Sequence, residues 1–213
     1  MDRGRLEAFS DGVFAVAITL LALNIAVKGP PHPPLLQQLG DHGWAFGAYL
    51  LSFFAIGIVW VNHHTLIKSI SMVDRMLLFL NLVLLLFVVL IPFATATVAD
   101  YMSQGNSRDA RVAMMLYAGV LLGMSIGFGA IFEWTLHGEH SLQPLPPEAH
   151  WPARLRFLAG GGVYVVAILV AVFNAIAAFI LIALVAVYYI AQRTPSSPAD
   201  PRGPDDGGET EVL

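Results

Sequence analysis

Asp11, His63 and His64 are the side chains best equipped for acid–base work in this chain, and Ser10, Asn62 and Asn81 are the neutral polar groups nearest to them in helical register. No nucleophile and no further ligand set stands beside the two histidines. Adjacent residues on a helix point about 100° apart, a poor bite for one metal ion. The chemistry expected is therefore hydrogen bonding, not catalysis, and neither an enzyme, a cofactor nor a resident metal is expected.

The surroundings of these groups explain why they matter. The chain has 213 residues, of which 57% are hydrophobic and 12% charged, and its mean hydropathy is +0.70. Soluble domains carry about 25% charged residues, so lipid replaces water as solvent for most of this fold. There is no cysteine, which excludes disulfides and thiolate chemistry. No basic patch points to nucleic acid.

Six apolar segments are readable, giving an all-α polytopic membrane protein with six transmembrane helices. They cover residues 6–27, 44–67, 76–99 and 110–136, then a long stretch at 154–192. That stretch is too long for one crossing of a core about 30 Å thick. It splits into a hairpin of two short helices with its turn near Phe173 and Asn174. Pro30, Pro31, Pro33 and Pro34 end the first span, Pro92 kinks the far end of the third, and residues 142–152 form a polar, proline-rich loop. Residues 1–193 make one membrane domain. The Pro- and Gly-rich residues 194–213 are expected to form a disordered cytoplasmic tail. The first span is read as uncleaved, because Glu7 and Asp11 interrupt any signal-peptide pattern.

Basic residues orient the bundle. With a cytoplasmic N-terminus, Arg3, Arg5, Lys68, Arg75, Arg154, Arg156, Arg193 and Arg202 lie inside, against Lys28, Arg108 and Arg111 outside. Both termini are then cytoplasmic. A mid-helix Asp costs about 2.5–3.5 kcal/mol on insertion scales, so it has a partner and often a role. Ser10 and Asp11 lie about one turn inside span one, Asn62, His63 and His64 near the inner end of span two, and Asn81 one turn into span three. A buried network of Ser10, Asp11, one of the two histidines and Asn81 follows. It either glues helices together or fixes the angle of span one for a purpose.

Arg5, Phe9, Gly12, Val16, Leu20 and Leu23 fall on one stripe of span one, with Thr19 at its edge. The stripe either packs against neighbours or lipid, or lines a pore. Gly119, Gly123 and Gly127 allow close helix approach in span four. Glu133, Trp134 and His137 close that span at the interface, Glu133 by snorkelling. Gly160, Gly161 and Gly162 lack the strand–helix context of a phosphate loop.

The run from Arg5 to Asp11, Arg-Leu-Glu-Ala-Phe-Ser-Asp, resembles the R-x-x-x-F-S-D signature of the transmembrane protein 175 family, lysosomal potassium channels in animals with shorter bacterial relatives. Trp60-Val-Asn62-His63-His64, Asn81 and Pro92-Phe93 extend the resemblance to about residue 193. It implies a potassium-permeable channel, assembled as a homotetramer in the cell membrane and passing monovalent cations through a pore lined by span one. It also implies that Arg5, Phe9, Ser10, Asp11, His63, His64 and Asn81 anchor that span. Val16, Leu20 and Leu23 would form the constriction, with Thr19 contributing to potassium preference. The family more often has isoleucine or leucine at the first ring, where this chain has the smaller Val16. A secondary ion transporter or a proton leak pathway is the alternative. The near absence of midplane charge speaks against the transporter.

Overall fold

Apolar helices with few breakers dominate the computed structural model, which describes residues 2–23, 25, 33–137, 140–142 and 146–191. The elements are α1 (Arg3–Ala22), α2 (Leu35–Asp41), α3 (Gly43–Lys68), α4 (Arg75–Met102), α5 (Arg108–Leu136), α6 (Pro147–Phe173) and α7 (Ala175–Ala191). The six long helices, α1 and α3 to α7, correspond to the six expected apolar segments. Helices α3, α4 and α5, and residues His150–Phe173 of α6, are long and apolar enough to cross a membrane. Helix α7 is apolar but shorter, at 17 residues. The expected end of the first span at Val27 and the tail from Thr194 lie outside the described residues.

Two differences from the sequence reading have local causes. Helix α2 was not expected; Pro34 stands at its N-cap, where a proline does not interrupt the ladder. Helix α6 starts at Pro147, not after Pro152, and so is not short. Pro147 occupies the first turn, and Pro152 follows only one turn later, where little helix precedes it to disrupt. Pro92 lies inside α4, which is helical on both sides of it.

Helix ends are closed by side chains. Asp74 accepts from the Leu77 amide at 2.7 Å and Ser107 from the Ala110 amide at 3.1 Å, each satisfying a donor that the helix leaves orphaned. The break between α6 and α7 falls at Asn174, and the α4–α5 loop seals it. Asn106 Oδ1 accepts from the Ala175 amide at 2.9 Å, while its Nδ2 donates to the Phe173 carbonyl at 3.1 Å. Arg111 donates to the Val172 carbonyl at 3.1 Å. Asn174 itself accepts from Ala177 N–H at 3.0 Å.

The core runs along α4 and α5, whose buried residues include Leu84, Val88, Ile91 and Ala94 on the first and Met114, Ala118 and Leu121 on the second. Helices α1 and α3 pack on α4; α6 and α7 pack on α5. Close approach of α4 and α5 depends on two of the three glycines singled out above. A Cβ on Gly127 would stand 3.0 Å from the Leu84 Cα, and one on Gly123 would overlap the Phe87 ring, whereas Gly119 faces open space. Gly127→Ala is therefore expected to push two backbones apart and lower stability by about 1–2 kcal/mol. Gly119→Ala is expected to be neutral; thermal unfolding in detergent compares them.

The end of the bundle that holds the start of α1 is tied by backbone. A single antiparallel bridge joins Ile70 to Ser141, and Arg3 donates to the Lys68 carbonyl at 3.0 Å. Glu133 does not merely snorkel. Both its oxygens accept from Arg154 on α6, one of them from Nε at 2.9 Å.

Candidate functional site

Helix α1 has two faces, and their contrast defines the site. Leu6, Ser10, Phe14, Ala17 and Leu21 are buried, spaced three or four residues apart as one helical stripe requires. That stripe packs on α3 and α4. The opposite stripe is bare. Val16 is 56% exposed, Leu20 39% and Leu23 74%, and Arg5, Phe9, Gly12 and Thr19 are exposed beside them. None of the proposed constriction residues is buried within the protomer.

The buried face carries a hydrogen-bonded chain near the first turns. His63 Nε2 lies 2.8 Å from Asn81 Oδ1. Asn81 Nδ2 donates to Ser10 Oγ at 3.0 Å. Ser10 Oγ donates to the Leu6 carbonyl at 2.9 Å. With His63 donating from Nε2, all three donors point one way and the chain ends on a backbone carbonyl. Such a chain has no free nucleophile and nothing to turn over. It links α3, α4 and α1, and its three side chains are fully shielded from solvent. Phe14 closes it from above, its ring 5.4 Å from the His63 ring. In low-dielectric surroundings a hydrogen-bonded chain of this kind favours one packing, because an alternative strands more polar groups than the His63 Nδ1 left without a partner here.

The structure brings together Ser10, Asn81 and His63, but not the whole expected set. Asp11 is outside the buried chain: it accepts instead from Trp60 Nε1 at 2.8 Å. His64 is also outside it, with Nδ1 2.8 Å from Glu7 Oε1. The reason is azimuth. Ser10 and Asp11 sit at the same depth but about 100° apart around the helix, as do His63 and His64, so each pair divides between an inner and an outer layer. Arg5 and Phe9 join neither layer. Arg5 is exposed, with no side-chain hydrogen bond or ion pair among the described residues, and Phe9 belongs to the bare stripe. Arg3 does the tethering expected of Arg5.

The sequence reading also missed a second buried cluster, deeper in the bundle. Ser52 Oγ lies 2.7 Å from Thr95 Oγ1 and 2.9 Å from the Tyr117 hydroxyl, joining α3, α4 and α5. The signal was there: three hydroxyls, each about two turns from the same end of the bundle.

Long apolar helices locked from within by neutral polar networks, with apolar side chains turned outward all round the bundle, define a polytopic membrane-spanning protein. Comparison with known proteins narrows this. The family model described as "Endosomal/lysosomal potassium channel TMEM175" matches residues 5–92. A potassium channel of Streptomyces collinus is 37% identical over 196 residues, covering 91% of this chain and 94% of that protein. The endosomal/lysosomal proton channel TMEM175 of Mus musculus is 32% identical over 159 residues, which are 68% of this chain and 30% of that protein. The crystal structure of a lysosomal potassium-selective channel TMEM175 homolog from Chamaesiphon minutus superimposes with a TM-score of 0.77 at 31% identity, covering 89% of this chain and 97% of that one. The chain belongs to the TMEM175 family.

Proposed function

We propose that this protein is the subunit of a potassium-permeable channel in the cell membrane. In this reading the subunit crosses six times, has both termini in the cytoplasm and assembles as a homotetramer around a water path lined by the bare face of α1. The observation that carries this is the two-faced α1: one side is clamped to α3 and α4 by the His63–Asn81–Ser10 chain, the other presents Val16, Thr19, Leu20 and Leu23 with nothing in the protomer to cover them. Kinship with potassium channels of similar length supports it.

Conduction follows from what that face lacks. A ring of apolar side chains offers no oxygen to replace an ion's hydration shell, and stripping an ion bare costs tens of kcal/mol in the Born limit. Ions pass at least partly hydrated, and the rings at Val16, Leu20 and Leu23 close the path by dewetting. Potassium, less tightly hydrated than sodium, sheds water at lower cost. Thr19 adds to this. Its hydroxyl donates to the Val16 carbonyl at 2.8 Å, so the hydrogen is occupied along the helix and the oxygen lone pairs remain for a cation.

Thr19→Ala is expected to narrow the potassium-over-sodium preference while sparing total conductance, read as a shift of reversal potential in bilayers. An unmoved reversal potential removes Thr19 from the selectivity mechanism. The reading as a whole is tested by flux from purified protein in liposomes, with potassium, sodium and protons compared in turn. Passive, non-saturating potassium flux supports it. Concentrative uptake, or flux carried by protons alone, replaces it with a transporter or a proton pathway.

A further inference from the structure

Glu7, Asp11 and His64 stand outside the buried chain, and the channel reading gives them no task beyond packing. Glu7 and Asp11 lie one turn apart on α1, and His64 reaches them from α3. One ligand atom from each lies within 4.8 Å of the other two, and all three residues are partly open to water. The detail of the contact points to a cation. His64 Nδ1 approaches Glu7 Oε1 to 2.8 Å, yet it makes no hydrogen bond and is itself shut off from solvent. So close an approach of imidazole nitrogen and carboxylate oxygen is favourable with positive charge between or beside them, from a proton on His64 or from a bound cation. Trp60 Nε1–H fixes Asp11 Oδ1, the outer-shell arrangement that orients a ligating carboxylate and leaves its other oxygen free.

The donor set decides which cation. Magnesium and calcium take sets of oxygens, whereas imidazole suits zinc, copper, iron and nickel. Three protein ligands with an open fourth position is a zinc arrangement, with bonds of about 2.0–2.2 Å. The single occupied imidazole and two carboxylates leave that fourth position to water. We propose that Glu7, Asp11 and His64 form a binding site for a divalent transition cation of the zinc class, which clips α1 to α3 beside the hydrogen-bonded clamp. The binding claim rests on the donor geometry alone; only its consequence for flux, a restrained α1, rests on the channel reading.

Equilibrium dialysis of the full-length protein in detergent against zinc, with magnesium in excess, tests it by counting bound zinc per chain. His64→Ala and Glu7→Gln are each expected to bind one zinc per chain fewer than wild type at the same free concentration. His64→Cys, which restores a ligand, is expected to keep it. The other histidines bind equally in all variants and cancel in the difference. Size-exclusion elution shows which variants keep the wild-type assembly. Equal zinc on wild type and the His64→Ala and Glu7→Gln variants overturns the site, as does displacement by magnesium or loss in the His64→Cys protein with unchanged elution. Zinc binding without potassium flux in the wild type would leave the site standing and remove the channel reading instead.

Discussion

Alanine at Val16 or Leu20 is expected to raise basal potassium flux by at least about tenfold, a barrier reduction of about 1.4 kcal/mol. Both side chains are exposed on the open face of α1, and each acts in as many copies as the assembly has subunits. Truncating valine to alanine removes two methyl groups per copy. Drying a surface scales with apolar area, about 0.8 kcal/mol per CH2 group, so in the proposed homotetramer a ring of four copies changes the balance between wet and dry by more than the tenfold requires. Gly12, one turn before Val16, leaves a shallow apolar depression bounded by Phe9, Val13 and Val16 of α1 and Val89 of α4. Leu169 on α6 is the control: it is as exposed as Val16 but belongs to a different face of the bundle. Leu169→Ala is expected to leave flux unchanged. Equal leak in the Val16, Leu20 and Leu169 variants would place the α1 stripe against lipid and end the pore assignment.

The helices were legible because lipid imposes a simple rule: long apolar segments, interrupted by proline and polar loops. The break at Phe173 and Asn174 could be placed by length alone. Depth was legible too, since each span starts at a known face, and it put Ser10, His63 and Asn81 in one layer. Azimuth was not. Whether Asp11 or Ser10 turns inward depends on where α3 and α4 lie around α1, and that is decided by contacts far away in sequence. Glu133 failed for the same reason: its partner Arg154 lies on another helix. Helix α2 is short and carries no strong pattern. The cluster of Ser52, Thr95 and Tyr117 was overlooked because hydroxyls in apolar spans read as neutral singly; only their shared depth makes them a set.

Asn81→Leu is expected to lower stability by about 2–4 kcal/mol, the largest loss among single changes in the clamp. The substitution keeps approximate volume, so packing is not the cause. It removes the one residue that touches both other helices through side-chain hydrogen bonds. Ser10 keeps its backbone acceptor, but the His63 Nε2–H is left unpaired beneath Phe14. An unsatisfied buried donor costs about 1–3 kcal/mol, and replacing both partners by apolar groups is nearly neutral by comparison. Ser10→Ala is milder, because the His63–Asn81 bond survives it. The His63→Leu, Asn81→Leu double variant is expected to be more stable than Asn81→Leu alone, although two residues are changed. Thermal unfolding in detergent of the wild type, His63→Leu, Asn81→Leu and the double variant completes the cycle, and the non-additivity isolates the pair. A double variant that loses the sum of the single losses would show that His63 and Asn81 act independently. If instead the double variant recovers stability but not potassium flux, the polar clamp is kept for the angle it sets on α1. Apolar contacts can hold that helix in place, but only directional bonds hold Val16 and Thr19 at one rotation.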